Sequence, residues 1–321
     1  MTDLNEIYCR IPIPIIKKYS KQIPFDLFIR LSDSKIIKIS NSQEEGFGML
    51  NKYQDITDIF GKKEQYRNFI KTIKDDLSIC FSDPKTTSIE QMELLGASHQ
   101  LVRESFKKIG VSESALDLAK SASDQALHVI KEYKSIAADF FIKFCNTSGY
   151  EYTKAVLISY MASCILDGFD WSSDAIKRKV SFAIMLRDIS LTTEDFSKLE
   201  VYEASGNQGS LSKDILGHPN NISNLLNNVK WGGWVSQDVL TIIKQHHENP
   251  NGTGFPNKTT NTNIIQLSAI EIIADKFVTM LIKEKFDPAI KCTILSKLTE
   301  LYPYANFKKA IAALSKALDI K

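Results

Sequence analysis

At 321 residues, 43% hydrophobic and 24% charged, the chain has the length of about two domains of ordinary size and enough apolar side chains to bury a core. Its net charge of +2 comes from lysines scattered without a basic stripe, which excludes long nucleic acid as a partner; a small charged ligand would need only a local cationic pocket. There is no basic-then-apolar leader and no run of about 18 apolar residues, so the expectation is a cytoplasmic protein without a membrane span.

In chain order the first signals are strands. Phe25 to Leu31 alternates with period two, and Lys35-Ile36-Ile37-Lys38-Ile39 follows a Ser-Asp-Ser turn, as in a hairpin. Segments 46–53 and 62–77 read as helical or mixed, making residues 1–82 a small α+β module for sensing or oligomerisation. The module carries neither a phosphoacceptor pattern nor a Gly-rich phosphate loop. Turn and cap residues around Asp83, Pro84, Thr86 and Thr87 mark a boundary. Apolar stripes through Leu94, Leu95, Leu101, Val102 and Phe106, then Leu116, Ala119, Leu127 and Ile130, predict a helical connection over 83–147. His128 falls there and reads as a packed or surface residue. The five cysteines, at 9, 80, 145, 164 and 292, show no paired spacing and read as reduced, packed thiols.

From 148 to 321 the signals are helical. An apolar run ends in Leu186-Arg187-Asp188, and Gly217-His218-Pro219 precedes Ile222 and Leu225-Leu226. The indoles of Trp231-Gly232-Gly233-Trp234 either pack a loop over the core, the commoner use, or stack on a base. Val239 to Gln245 has the spacing of a helix, with His246-His247-Glu248 at its end and a Pro/Asn/Gly cluster, Asn249 to Pro256, stopping it. Adjacent imidazoles in that position serve either as metal ligands or as a polar helix end, and the pair alone does not choose. Ile270 to Phe277 and Tyr304 to Ile320 predict two more helices, and the Asn/Thr-rich stretch 257–263 reads as an exposed loop.

His246-His247-Glu248-x-x-Asn251-Gly252-x-Gly254-Phe255-Pro256 resembles the second signature of the HD-GYP phosphodiesterases, His-His-Glu-x-x-Asp-Gly-x-Gly-Tyr-Pro, with Asn251 and Phe255 departing from it. Other positions follow at family spacing. Asp188 matches the aspartate of the family's Leu-His-Asp-Ile-Gly-Lys, while Arg187 replaces its histidine and Leu191 its phosphate-binding lysine. Tyr152 stands where the first histidine ligand belongs, His218-Pro219 is similar to the His-Pro segment, and Asp275 takes the late aspartate position. Ala269 stands where an arginine is usual. The resemblance covers roughly 148–321 and implies an all-helical HD-GYP domain behind the α+β module.

What it implies for the site is asymmetric. The family's first metal would be held by the positions of Tyr152, Arg187, Asp188 and Asp275, two of which are substituted. The second would be held by Asp188, His218, His246 and His247, all present. Asp188, shared by the two, is the candidate catalytic residue. A guanidinium carries a permanent charge and cannot coordinate a cation, so Arg187 either takes the first metal's place between Asp188 and Asp275 or turns to solvent and leaves that site broken. Glu248 is expected to orient one of the histidines. The resemblance thus implies one divalent transition metal, of the class Fe, Mn, Zn or Ni.

With a metal, a phosphate-binding cation and the motif tyrosine all replaced, efficient turnover of the family's substrate, cyclic di-guanylate, is not expected. The reading is a degenerate HD-GYP protein of cyclic di-guanylate signalling that binds the nucleotide or a signalling protein partner with little or no hydrolysis, with a homodimer as candidate assembly. The alternative is a slow mononuclear phosphodiesterase, and a third is a scaffold in which the histidines are relics.

Overall fold

A computed structural model describes residues 7–18, 26–32, 35–40, 59–83, 85–132, 149–205, 210–229, 231 and 233–320. The expected segment 46–53 and Cys145 lie outside them. The chain forms two compact units, 1–125 and 126–321.

The first unit begins with β1 (Tyr8–Ile11), α1 (Ile13–Lys18), β2 (Leu27–Ser32), β3 (Lys35–Ser40) and β4 (Ile59–Lys62). The strands form one antiparallel sheet in the order β1-β4-β2-β3. β2 and β3 are the hairpin that alternation predicts, with Ile29 opposite Ile37 and register irregularities on either side. On β1 the pleat turns Cys9 and Ile11 inward and Arg10 outward. The helices α2 (Lys63–Ser82), α3 (Ser88–Lys108) and α4 (Glu113–Glu132) follow, α4 running past the boundary at 125. Tyr66, Phe69, Ile70, Ile73 and Leu77 bury one face of α2, spaced at three and four residues. The Tyr66 hydroxyl donates to the Arg10 carbonyl at 2.9 Å, joining α2 to β1. α3 starts on a capping box, Thr87 with Glu90, and packs on α1, α2 and β1.

The second unit is helical: α5 (Tyr150–Leu166), α6 (Asp174–Arg187), α7 (Thr193–Ala204), α8 (Lys213–Asn227), α9 (Gln237–Gln245), α10 (Gln266–Lys283), α11 (Lys291–Leu301) and α12 (Ala305–Ala317). Ser173, Thr192 and Ser212 cap the N-termini of α6, α7 and α8 with their hydroxyls. α5 is buried on every side and packs against α6, α10 and α12, while α9 lies between α6 and α8. Phe182, Phe277 and Phe307 are fully buried, each contributing on the order of 1.5–3 kcal/mol of apolar transfer. Gly168 lets the end of α5 approach α12, since a Cβ there would lie 2.8 Å from that of Ala313. A small antiparallel α+β part followed by a helical part is the architecture the sequence predicts. No helix among the described residues is long and apolar enough to cross a membrane.

Candidate metal centre

Three helix positions bring the histidines together, and each ring is aimed by a bond from its Nδ1. Pro219 lies inside α8 and has no N–H, so the Ile215 carbonyl, four residues back, loses its ordinary backbone donor. His218 Nδ1 takes that carbonyl at 2.6 Å. His246 caps the C-terminus of α9, where the last carbonyls have no helical partner, and its Nδ1 reaches the Ile243 carbonyl at 2.7 Å. His247 Nδ1 meets the Glu203 carboxylate of α7 at 2.7 Å.

A carbonyl or carboxylate can only accept, so each Nδ1 is the donor, and a ring in its neutral form turns its Nε2 lone pair inward. There Asp188, the cap residue ending α6, presents Oδ1 at 3.2 Å from His218 Nε2, 3.3 Å from His246 Nε2 and 3.8 Å from His247 Nε2. His218 and His246 Nε2 are 3.3 Å apart, and one ligand atom from each of the four residues lies within 4.8 Å of the others. His247 Nε2 is buried without a hydrogen-bond partner. Burial, with His247 beside it, pushes the His246 pKa down to about 3, so that ring brings no proton to the cluster. Burial also opposes charge on His247, but the Asp188 and Glu203 carboxylates beside it outweigh this and raise the pKa.

Inward lone pairs facing a carboxylate are the donor set of a cation site. Four tetrahedral ligands at about 2.1 Å from an ion sit about 3.4 Å apart, close to the separations here, so the donor set fits a divalent metal.

Beside the cluster the charge is already matched. Arg187, 2% exposed, donates from Nε to Asp188 Oδ2 at 3.0 Å, from Nη2 to Asp275 Oδ2 at 2.8 Å and from Nη1 to Glu271. Lys154 of α5 stands 3.6 Å from Asp275 and 2.9 Å from Glu200. Burial alone would raise the Asp188 and Asp275 pKa values; Arg187 first of all reverses this for Asp188, and Lys154 and Arg187 for Asp275, leaving both well below the usual carboxylate range. Arg187 thus bridges three carboxylates, those of Glu271 and Asp275 buried and that of Asp188 partly exposed, and Asp275 lies outside the four-residue cluster.

Residues 145–294 match the family model described as HD domain. That match lies within the helical unit. Over 97% of this chain and 99% of the other, the fold is similar to that of Bd1817, a HDG"Y"P protein from Bdellovibrio bacteriovorus, with a TM-score of 0.57 and 17% identity. The chain therefore shares its fold with that protein. No curated protein matches the chain in sequence.

Within the matched segment the loop 249–256 folds back on its own start. Gly252 has φ +81°, and a Cβ on Gly254 would lie 2.2 Å from the Asn249 nitrogen, so only glycine fits. Asn251 Oδ1 accepts from the Thr253 N–H and hydroxyl, and the Phe255-Pro256 peptide is cis. Glu248, expected to orient a histidine, instead accepts the backbone N–H groups of Asn257 and Thr259, both at 2.7 Å. Those loop donors would otherwise be left unpaired beside a carboxylate that is itself only 3% exposed.

Phe255 stacks on His247 with ring centres 4.5 Å apart and belongs to an apolar cluster with Leu191, Phe196, Leu199 and Ile215. Leu191 is therefore a core residue. Tyr152 is buried in α5, and burial pushes its phenol well above the ordinary range. Trp231 and Trp234 both pack on Phe182, the loop-packing use. Among the other cysteines Cys9 is buried, whereas Cys292 is exposed and not a packed thiol, because it opens α11 on its outer side.

Sequence reasoning missed Glu271, Lys154, Glu203 and Lys276. Glu271 and Asp275 do leave a trace, as charges four residues apart in an otherwise apolar helix. Glu203 leaves none, since α7 is acidic along much of its length, as a solvated helix would be.

Proposed function

We propose that the HD domain binds one divalent transition metal, Fe, Mn, Zn or Ni, through Asp188, His218, His246 and His247, and acts in cyclic di-guanylate signalling by binding the nucleotide or a protein partner with little or no hydrolysis. The observation that carries this reading is Arg187. Its fixed charge lies among Asp188, Glu271 and Asp275, where the family resemblance implies a first metal, so a second ion would have to share three carboxylates with a guanidinium. A bound ion would act as a Lewis acid and lower the pKa of its water. The chain's own contribution is to aim three Nε2 atoms, to hold Asp188 Oδ1 toward them while Arg187 holds Oδ2, and to fix the His247 ring by stacking Phe255 on it. Leu191 places a core side chain where the family's phosphate-binding lysine would stand, which supports weak or absent turnover.

Elemental analysis of the chain purified without added metal, beside His246→Ala, tests the reading. The expected result is about one equivalent, lost in the variant, with cyclic di-guanylate bound but not turned over at a useful rate. Two equivalents would overturn the single-ion reading and revive a binuclear hydrolase; one equivalent with measurable hydrolysis would favour the slow mononuclear phosphodiesterase; none would leave a scaffold.

A further inference from the structure

We infer that Glu203, held in place by Lys276, is the positioning residue for His247: a carboxylate of α7 that fixes which ring nitrogen faces the cluster and so sets its affinity for a divalent cation. The inference rests on the metal reading of the cluster proposed above.

The three histidines are not aimed in the same way. His218 and His246 each use a carbonyl three residues upstream in their own helix, so their orientation comes with local secondary structure. The partner of His247 comes from 44 residues away. Glu203 uses both oxygens: Oε1 accepts from His247 Nδ1 at 2.7 Å, and Oε2 accepts from Lys276 Nζ at 2.7 Å. The carboxylate is thus tied to α10 on one side and to the end of α9 on the other, with little freedom to swing. Phe255, stacked on the ring with an interplanar angle of 22°, fixes the imidazole plane from its face. A charged acceptor on Nδ1 binds more strongly than a carbonyl and makes the opposite nitrogen a better electron donor. His247 Nε2, buried with no hydrogen-bond partner, is the atom that benefits.

A purely structural role for Glu203, pinning α7 to its neighbours, has an internal control. Glu200 lies on the same helix and makes the same kind of contacts, accepting from Lys154 Nζ and from the Tyr150 hydroxyl, each at 2.9 Å, and its oxygens touch no histidine. If α7 merely has to be pinned, Glu200 and Glu203 are equivalent; if His247 has to be aimed, they are not.

The experiment titrates Mn2+ into the metal-stripped full chain against a chelating fluorophore, for wild type, E203A, E203Q and E200Q, with circular dichroism to confirm that each is folded. Loss of the outer carboxylate is expected to weaken Mn2+ binding about 10- to 100-fold in E203A. E203Q keeps an acceptor oxygen for Nδ1–H and is expected to recover part of the loss, and E200Q to stay within about twofold of wild type. Equal affinities for wild type and E203A would overturn the inference while leaving the metal reading intact. So would an E200Q deficit as large as that of E203A. A wild-type chain that takes up no Mn2+ overturns both.

Discussion

Replacing Arg187 by Met removes one charge from a buried quartet, and the structure indicates where the damage concentrates. Asp275 keeps Thr279 at 2.9 Å and Lys154 at 3.6 Å, and Asp188, with 18% of its side chain exposed, keeps solvent. Glu271 keeps nothing comparable: its side chain has no exposure, its Oε2 already lacks a hydrogen-bond partner, and Oε1 loses the guanidinium. The expected cost is that of one uncompensated buried charge, about 3–5 kcal/mol. At about 2–4 °C per kcal/mol for a unit of this size, Tm falls by roughly 6–20 °C. The assay is thermal unfolding of the full chain in chelator, followed by circular dichroism for wild type, R187M, E271Q and R187M/E271Q. If Glu271 is the orphan, the double variant recovers at least about half of the loss, because a neutral amide no longer has a buried charge to hide. A Tm drop in R187M below about 2 °C, or a double variant no more stable than R187M, would refute the claim that Arg187 is the counter-charge of this site.

Two further outcomes follow from other parts of the chain. Pro219→Ala restores the backbone donor to the Ile215 carbonyl and makes it compete with His218 Nδ1; metal affinity measured by chelator competition should fall several-fold while Tm holds or rises, since a mid-helix proline costs up to about 3 kcal/mol, and a fall in both would count against the reading. In the first unit, burial, with Glu104 adding to it, pushes the Cys9 thiol up to about 12. Its folded pKa exceeds the unfolded value of about 8.5, so the stabilisation it gives is complete below that value and is lost as pH rises from there toward 12. Denaturant unfolding at about pH 8 and about pH 10.5 should show a larger loss in wild type than in Cys9→Ala, and at about pH 8 a thiol reagent should label Cys292 well before Cys9, as peptide mapping would read.

Much of the fold was legible locally. The β2–β3 hairpin shows in its alternation around a turn, and α9 in its apolar spacing before a Pro/Asn/Gly stop. β1 and β4, of four residues each, were not legible: Ile59 to Lys62 runs directly into α2, and a strand that short is recognised only by its partner. The site divides in the same way. His218, His246 and His247 are picked out by the residues beside them, as is Asp188 at the end of an apolar run. Glu271 and Lys154 looked like stray charges within apolar helices, and Glu203 like one acid among several.

Chemistry written into neighbouring residues is what the sequence by itself determined: a proline that frees a carbonyl for the histidine before it, paired imidazoles at a helix end, glycines where a loop doubles back. Those depend on bonds spanning a few residues. Only the tertiary structure decided which charges face one another, because Arg187 meets Glu271 and Asp275 across 84 and 88 residues, and His247 meets Glu203 across 44. A buried charge must find its counter-charge wherever packing brings one, and no local pattern records that choice.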